Sequence, residues 1–231
     1  MDRAPRLSFT GYDARTEAVV LLLHGGTPDS FASVRAYDPS VLRMIPFGRS
    51  VVRAGGWRIV LARFRYAVRG WNGRAESPLA DARWALDRIA ERFGDIPIGL
   101  VGHSMGGRVA LRVTDHGGVH DGARSGVRSW GVRSVAALAP WLPDGEPIPL
   151  LGDRALLLAH GTADRSTDPA KTTELAEKLA TDGGDVELVK YPGGRHSMIF
   201  PARPWHELVA RFMVRTLLAP AVEGLSGPVR H

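Results

Sequence analysis

Ser104 stands in the run Gly102-His103-Ser104-Met105-Gly106, a serine with a glycine two residues to either side. A hydroxyl held on a sharp strand-to-helix turn, with a base in reach, can attack an acyl carbonyl as a nucleophile. The pattern alone is weak, because 13 serines and 27 glycines among 231 residues give about 0.2 such matches by chance. Its neighbours add weight. Ile98-Gly99-Leu100-Val101 reads as a buried strand and Gly106-Gly107-Arg108-Val109-Ala110-Leu111 opens a helix, so Ser104 falls on the turn between them. Glycines at that spacing let strand and helix approach without side-chain clash. The Met105 N–H, at the helix start, points where a developing oxyanion would lie. The plainer reading is a serine that only caps the helix.

The runs Gly102-His103-Ser104-Met105-Gly106-Gly107, His24-Gly25-Gly26 and His160-Gly161-Thr162-Ala163-Asp164 together resemble the α/β-hydrolase superfamily. The resemblance is to its small esterases and its monoacylglycerol-lipase-like and dienelactone-hydrolase-like members, over about residues 18 to 217. It implies the α/β-hydrolase fold, a doubly wound, mostly parallel sheet with helices on both faces. It also implies a triad in the chain order Ser, acid, His. A serine at the elbow points away from the superfamily's epoxide hydrolases and haloalkane dehalogenases, which use aspartate.

A serine hydroxyl needs a base, and the base needs a carboxylate to fix its tautomer and stabilise its charged form. Asp164 follows the apolar run 156–159 and is the expected orienting acid, with Asp144 as competitor because some hydrolases take their acid after the preceding strand. Asp168 precedes Pro169 and reads as a helix cap. His196 follows the last strand-like run through Pro192-Gly193-Gly194-Arg195 and is the expected base. His24-Gly25-Gly26-Thr27-Pro28 resembles the superfamily's oxyanion-hole loop, with Gly26 supplying the second N–H and Thr27 the alternative donor should the register differ by one. Thr27, His103, Trp71, Trp141 and Leu142 are candidate pocket residues. Trp71 lies in Arg69-Gly70-Trp71-Asn72-Gly73, which resembles the Arg-Gly-rich loop of the monoacylglycerol-lipase group. The larger lipases of the superfamily carry a helical lid after the strand ending near Leu138, and Pro140 to Asp153 is too short for one, so an open site is expected. The implied reaction is ester hydrolysis through an acyl-enzyme, with no metal or organic cofactor and a small-molecule ester as substrate. Acyl transfer, thioester or peptide cleavage, and a catalytically silent binding protein on the same fold are the alternatives.

The elements that must position these residues alternate. Strand-like runs occur at Ala18 to Leu23, Arg58 to Ala62, Ile98 to Val101, Ser134 to Leu138, Ala155 to Ala159 and Val186 to Tyr191, and most are apolar at consecutive positions, as in a parallel sheet covered on both faces. Helical spacing appears after Ser77 and Pro78, read as N-cap and first helical residue, and at about Pro46 to Ala54, Pro169 to Ala180 and Pro204 to Leu217. The segment Asp29 to Met44 reads as aperiodic and part of the site's mouth, and Phe9 to Asp13 is too weakly patterned to assign. Residues 1–218 are expected to form one domain, and 219–231 a loosely ordered tail.

Composition closes off other classes. Hydrophobic residues make up 44% and charged residues 23%, an ordinary globular balance. The net charge of +6 comes from Arg and Lys scattered among Asp and Glu, which suits a solvated surface and not a nucleic-acid footprint. No run is long enough to span a membrane and none near the start suits a signal peptide. The chain has no cysteine, which makes the cytoplasm the expected compartment. His116 and His120, with Asp115 and Asp121, lack a helix or turn to organise them into a metal site.

Overall fold

The described residues hold seven strands: β1 (Arg6–Thr10), β2 (Ala18–Leu23), β3 (Ile59–Arg65), β4 (Ile98–His103), β5 (Val132–Leu138), β6 (Ala155–Gly161) and β7 (Val186–Tyr191). The computed structural model describes residues 3–11, 15–113, 130–199 and 201–218. The strands form one sheet in the order β1-β3-β2-β4-β5-β6-β7. β1 is antiparallel to β3 and every other pairing is parallel. The continuous apolar runs predict burial on both faces, and β2, β4 and β6 are buried at every position. The edge strand β1 alternates between exposed and half-buried, as one covered face requires.

Among the described residues five α-helices cover the sheet: α1 (Pro39–Gly55), α2 (Ser77–Phe93), α3 (Met105–Val113), α4 (Pro169–Thr181) and α5 (Arg203–Leu217). Met44, Phe47 and Val51 of α1 and Trp205, Val209 and Met213 of α5 pack together on one face with Leu22, Leu61 and Val101. Leu86, Ile89, Val109 and Leu175 from α2, α3 and α4 pack on the other with Leu21, Leu100 and Leu156. Among the described residues, the segment 139–154 between β5 and β6 contains no helix.

Three local expectations need correction. The helix expected from Pro46 starts at Pro39 and carries Pro46 inside it. Its buried stripe already includes Met44, and seating that stripe outweighs the hydrogen bond a proline cannot make. Residues 39–44 of the segment expected to be aperiodic, Asp29 to Met44, are therefore helical. Ser77 does not cap α2: Glu76 takes the N-cap position at φ 42°, and the Ser77 hydroxyl accepts a hydrogen bond from Asn72 Nδ2 at 3.1 Å. Asp168 does cap α4, accepting the Ala170 N–H at 2.8 Å.

Burial ranks the cost of truncation. Leu100 is fully buried in the centre of β4, so Leu100→Ala should lower unfolding free energy by about 3 kcal/mol in urea titrations. Leu150 is 73% exposed, and Leu150→Ala should stay within about 0.5 kcal/mol of the parent.

Candidate active site

The chain passes from β2 to its neighbour β3 and then crosses to β4 on the other side of β2, so the loops leaving β2 and β4 diverge and open a crevice at their carboxyl ends. The β4 loop is the Ser104 turn and the β2 loop is His24-Gly25-Gly26. They meet closely: a Cβ on Gly25 would lie 3.3 Å from the Ser104 Cβ. Ser104 itself takes φ 56°, a left-handed conformation that costs a non-glycine residue energy and must be imposed by its surroundings. A Cβ on Gly102 would strike the Gly106 carbonyl, and one on Gly106 would strike the Leu23 carbonyl. The turn is therefore pressed against β2 where only glycine fits.

Asp164 and His196 come together from the loops after β6 and β7. Nδ1 of His196 donates to Asp164 Oδ2 at 2.7 Å, since a carboxylate can only accept. Asp144, the competing acid, has a side chain 99% exposed and pairs with Lys171 at 2.6 Å. His196 also lies against the elbow. Its ring centroid is 4.8 Å from that of His103, whose Nε2–H donates to the His196 carbonyl at 2.8 Å. Among the described residues the Ser104 hydroxyl has no hydrogen-bond partner; in unliganded sites such bonds are often long and tighten with substrate.

Five donors converge on Asp164. The N–H groups of Ser166 and Thr167 reach Oδ1 at 2.7 and 3.1 Å. His196, the Thr167 hydroxyl at 3.0 Å and His160 Nε2 at 3.1 Å reach Oδ2. Burial works against the charge, but the Ser166 N–H, His196 and the Thr167 N–H hold the carboxyl below the ordinary carboxylate range. Burial lowers the pKa of His160 despite the nearby Asp164 charge. Its neutral ring donates from Nε2 and takes the Thr172 hydroxyl on Nδ1 at 2.7 Å.

The β2 loop is stitched to the Arg69-Gly70-Trp71 loop. The Thr27 N–H donates to the Arg69 carbonyl at 3.0 Å, and the Trp71 N–H donates to the Thr27 carbonyl at 2.9 Å. Thr27 thus has no N–H left for a substrate, whereas those of Gly26 and Met105 have no partner among the described residues. His24 braces the loop: its Nδ1–H donates to the Gly25 carbonyl at 2.7 Å and its Nε2 accepts the Tyr66 N–H at 3.3 Å.

Solved structures share this arrangement of strands and helices. XC6422 of Xanthomonas campestris, an α/β serine hydrolase without a lid, aligns with a TM-score of 0.63 and 16% identity over 94% of this chain and 91% of its own. The thermophilic esterase Est2 of Thermogutta terrifontis aligns at 0.69 and 18%, over 95% of this chain and 90% of its own. Est1E of Butyrivibrio proteoclasticus, in a structure with ferulic acid bound, aligns at 0.62 and 13%, over 92% and 95%. The chain has the α/β-hydrolase fold. Residues 149–219, which include Asp164 and His196, match the prolyl oligopeptidase family. No curated protein sequence matches the chain.

Within that fold the candidate pocket residues scatter. His103 is buried in the elbow. Trp71 is 3% exposed, with the Arg108 guanidinium 3.6 Å from its ring centre, so it is part of the packing beneath the site and not a wall of it. Trp141 meets Trp71 edge-on, its ring centre lies 4.8 Å from the same guanidinium, and its backbone N–H donates to the Ser104 carbonyl. Leu142 faces a different groove, between residues 142–148 and α4. Sequence reasoning missed Arg108, Glu146, His160 and Thr167. Arg108 and Glu146 form a buried ion pair at 2.6 Å that joins α3 to the 139–154 segment. Only the fixed distance of His160 and Thr167 from Asp164 could have marked them. His116 and His120 lie outside the described residues.

Two measurements test this description. Burial pushes His24 down to about 4, and burial with the nearby His196 pushes His103 down to about 3. Both fold as neutral rings and take up protons at higher pH when unfolded, so their stabilisation is complete above about pH 6.5 and drains away as pH falls toward 4. Each should cost about 2 kcal/mol between pH 7 and 4.5, read from urea midpoints, and His24→Asn, which keeps the donor to Gly25, should flatten the slope. His160→Gln should hold Asp164 through its amide N–H, whereas His160→Ala should lower kcat about tenfold and move the acid limb of the pH profile. Equal profiles for the two variants would remove His160 from the positioning of Asp164.

Proposed function

We propose that this protein is a serine hydrolase that cleaves carboxylic esters through an acyl-enzyme, with Ser104 as nucleophile, His196 as base and Asp164 as orienting acid. The observation that carries the reading is the 2.7 Å bond from His196 to Asp164, made beside a serine strained at φ 56°. Asp164 fixes the tautomer in which Nε2 of His196 is free to accept the Ser104 proton. Ser104 Oγ then bonds to the ester carbonyl carbon, and the carbonyl oxygen takes the negative charge. The N–H groups of Gly26 and Met105 receive that oxygen, each contributing about 3 kcal/mol in the transition state. His196 passes its proton to the departing alcohol, the C–O bond breaks, and a water deprotonated by His196 repeats the attack on the acyl-enzyme to release the acid.

The ester preference takes its support from fold relatives that are esterases, including one with ferulic acid bound. A peptidase reading is favoured by a separate observation, the match of residues 149–219 to the prolyl oligopeptidase family. That match covers the acid and base loops and not the nucleophile, and the same triad serves either bond.

Labelling with a fluorophosphonate, together with turnover of acyl esters of rising chain length, feruloyl esters and prolyl anilides, separates these readings. The parent protein should label and cleave esters, Ser104→Ala should do neither, and Asp164→Asn should lose about 10⁴-fold in kcat while keeping its urea midpoint within about 1 kcal/mol. Labelling that survives Ser104→Ala would exclude it as the nucleophile, and faster cleavage of prolyl anilides than of any ester would replace the esterase by a peptidase.

A further inference from the structure

A cavity of about 340 Å³ borders His196 and is lined by Ala163, Arg165, Ser166, Arg195, His196 and Ser197. Its walls are the two loops that carry the acid and the base, and each loop contributes one arginine. Both side chains are exposed, and neither guanidinium has a hydrogen bond, ion pair or ring contact among the described residues. Arg58, Arg69, Arg108 and Arg112, by contrast, each pair with a carboxylate. No carboxylate lines the cavity. Asp164 is turned to its five donors behind His196, and Asp168 is engaged at the start of α4. Two arginines, two serines and a histidine therefore line one space with no acidic residue among them, a donor set suited to an anion.

We propose that this cavity is the leaving-group subsite and that the preferred ester carries a carboxylate on its alcohol portion, received by Arg165 and Arg195. The assignment to the leaving group rests on the hydrolase reading. His196 hands its proton to the departing alkoxide, so that oxygen sits at the imidazole and the remainder of the alcohol extends into the space the imidazole borders. Ser104 does not line the cavity, which leaves the acyl portion to the crevice between the β2 and β4 loops. The volume is at the small end for ligand sites and suits an alcohol the size of a substituted phenol. A planar guanidinium from each wall can bridge the two oxygens of a carboxylate with matched geometry. The net charge of +6 attracts any anion at long range, so the test must separate a local site from the general field.

The decisive comparison is kcat/KM for 4-acetoxybenzoate, for its neutral methyl ester and for the trimethylammonium analogue of phenyl acetate, at low and high salt. The parent should favour the carboxylate over the neutral ester by roughly tenfold at low salt, with the cationic ester slowest. Arg165→Gln combined with Arg195→Gln should reduce that ratio to about threefold or less, while Arg53→Gln, an exposed arginine near the far end of α1, should keep the parent ratio. A parent ratio at or below one, an unchanged ratio in the double variant, or an equal fall with Arg53→Gln would overturn the subsite. Failure to turn over any ester would count against the hydrolase reading instead, and the subsite is then read from 4-hydroxybenzoate binding to Ser104→Ala by calorimetry. Binding weakened about tenfold by the two arginine substitutions supports it, and equal binding overturns it.

Discussion

The closest packing in the site is backbone against backbone where the Ser104 turn crosses the end of β2. Gly102 faces the Gly106 carbonyl and Gly106 faces the Leu23 carbonyl, each with no room for a side chain. This crowding leaves the serine no relaxed conformation, and φ 56° is the result. The sheet supplies the force. β2 and β4 are paired along their length and buried on both faces, so neither can retreat to relieve the turn. The strain is thus held by the core, and the core is what a substitution at either glycine would have to deform.

Charge at the site follows a similar economy. A buried carboxylate is costly unless its oxygens are satisfied, and Asp164 meets that condition with donors from its own loop, from His160 and from His196. His160 and His103 are kept neutral by burial, so each contributes a directed N–H without adding positive charge that would compete with His196 for the carboxylate. Two histidines reach that carboxylate while His103 holds the His196 carbonyl, so His160 and His103 both brace the geometry of His196.

Most of the sheet was legible because buried parallel strands announce themselves as uninterrupted apolar runs: Ala18–Leu23 matches residue for residue, and Val186–Tyr191 does too, although Glu187 and Lys190 interrupt it and no position in it is fully buried. The edge strand Arg6–Thr10 was not, because one covered face leaves only a weak alternation. Pro46 misled for a related reason. Proline is a start signal locally, but the apolar stripe that decides where α1 begins is set by packing against α5. Ser104, Asp164 and His196 could be picked out by their places after strands, whereas the partners that hold them could not. His160 lies within the same short motif as Asp164, yet Thr172 and the His196 carbonyl reach the cluster only through the fold. Trp71 and Trp141 lie in loops that could wall a pocket or join the core, and the Arg108 guanidinium against both rings, which the sequence does not foretell, draws Trp71 into the core.

That stack also holds the segment that follows β5 against the elbow. The 139–154 segment is tied to the elbow and α3 by the Trp141 backbone N–H on the Ser104 carbonyl, by the Trp141 ring beside Arg108, and by Glu146 on Arg108 and Arg112. Arg108 and Glu146 are nearly buried, and a buried ion pair returns little net stability once its desolvation is counted. What it provides is direction. Arg108 sits one turn beyond Ser104 on α3, and its N–H closes that turn on the Ser104 carbonyl. Anchoring its guanidinium between two indoles and a carboxylate fixes the first turn of the helix whose free Met105 N–H faces the crevice. Donors held in this way are aligned before any ligand arrives and need no closing motion to bring them into line.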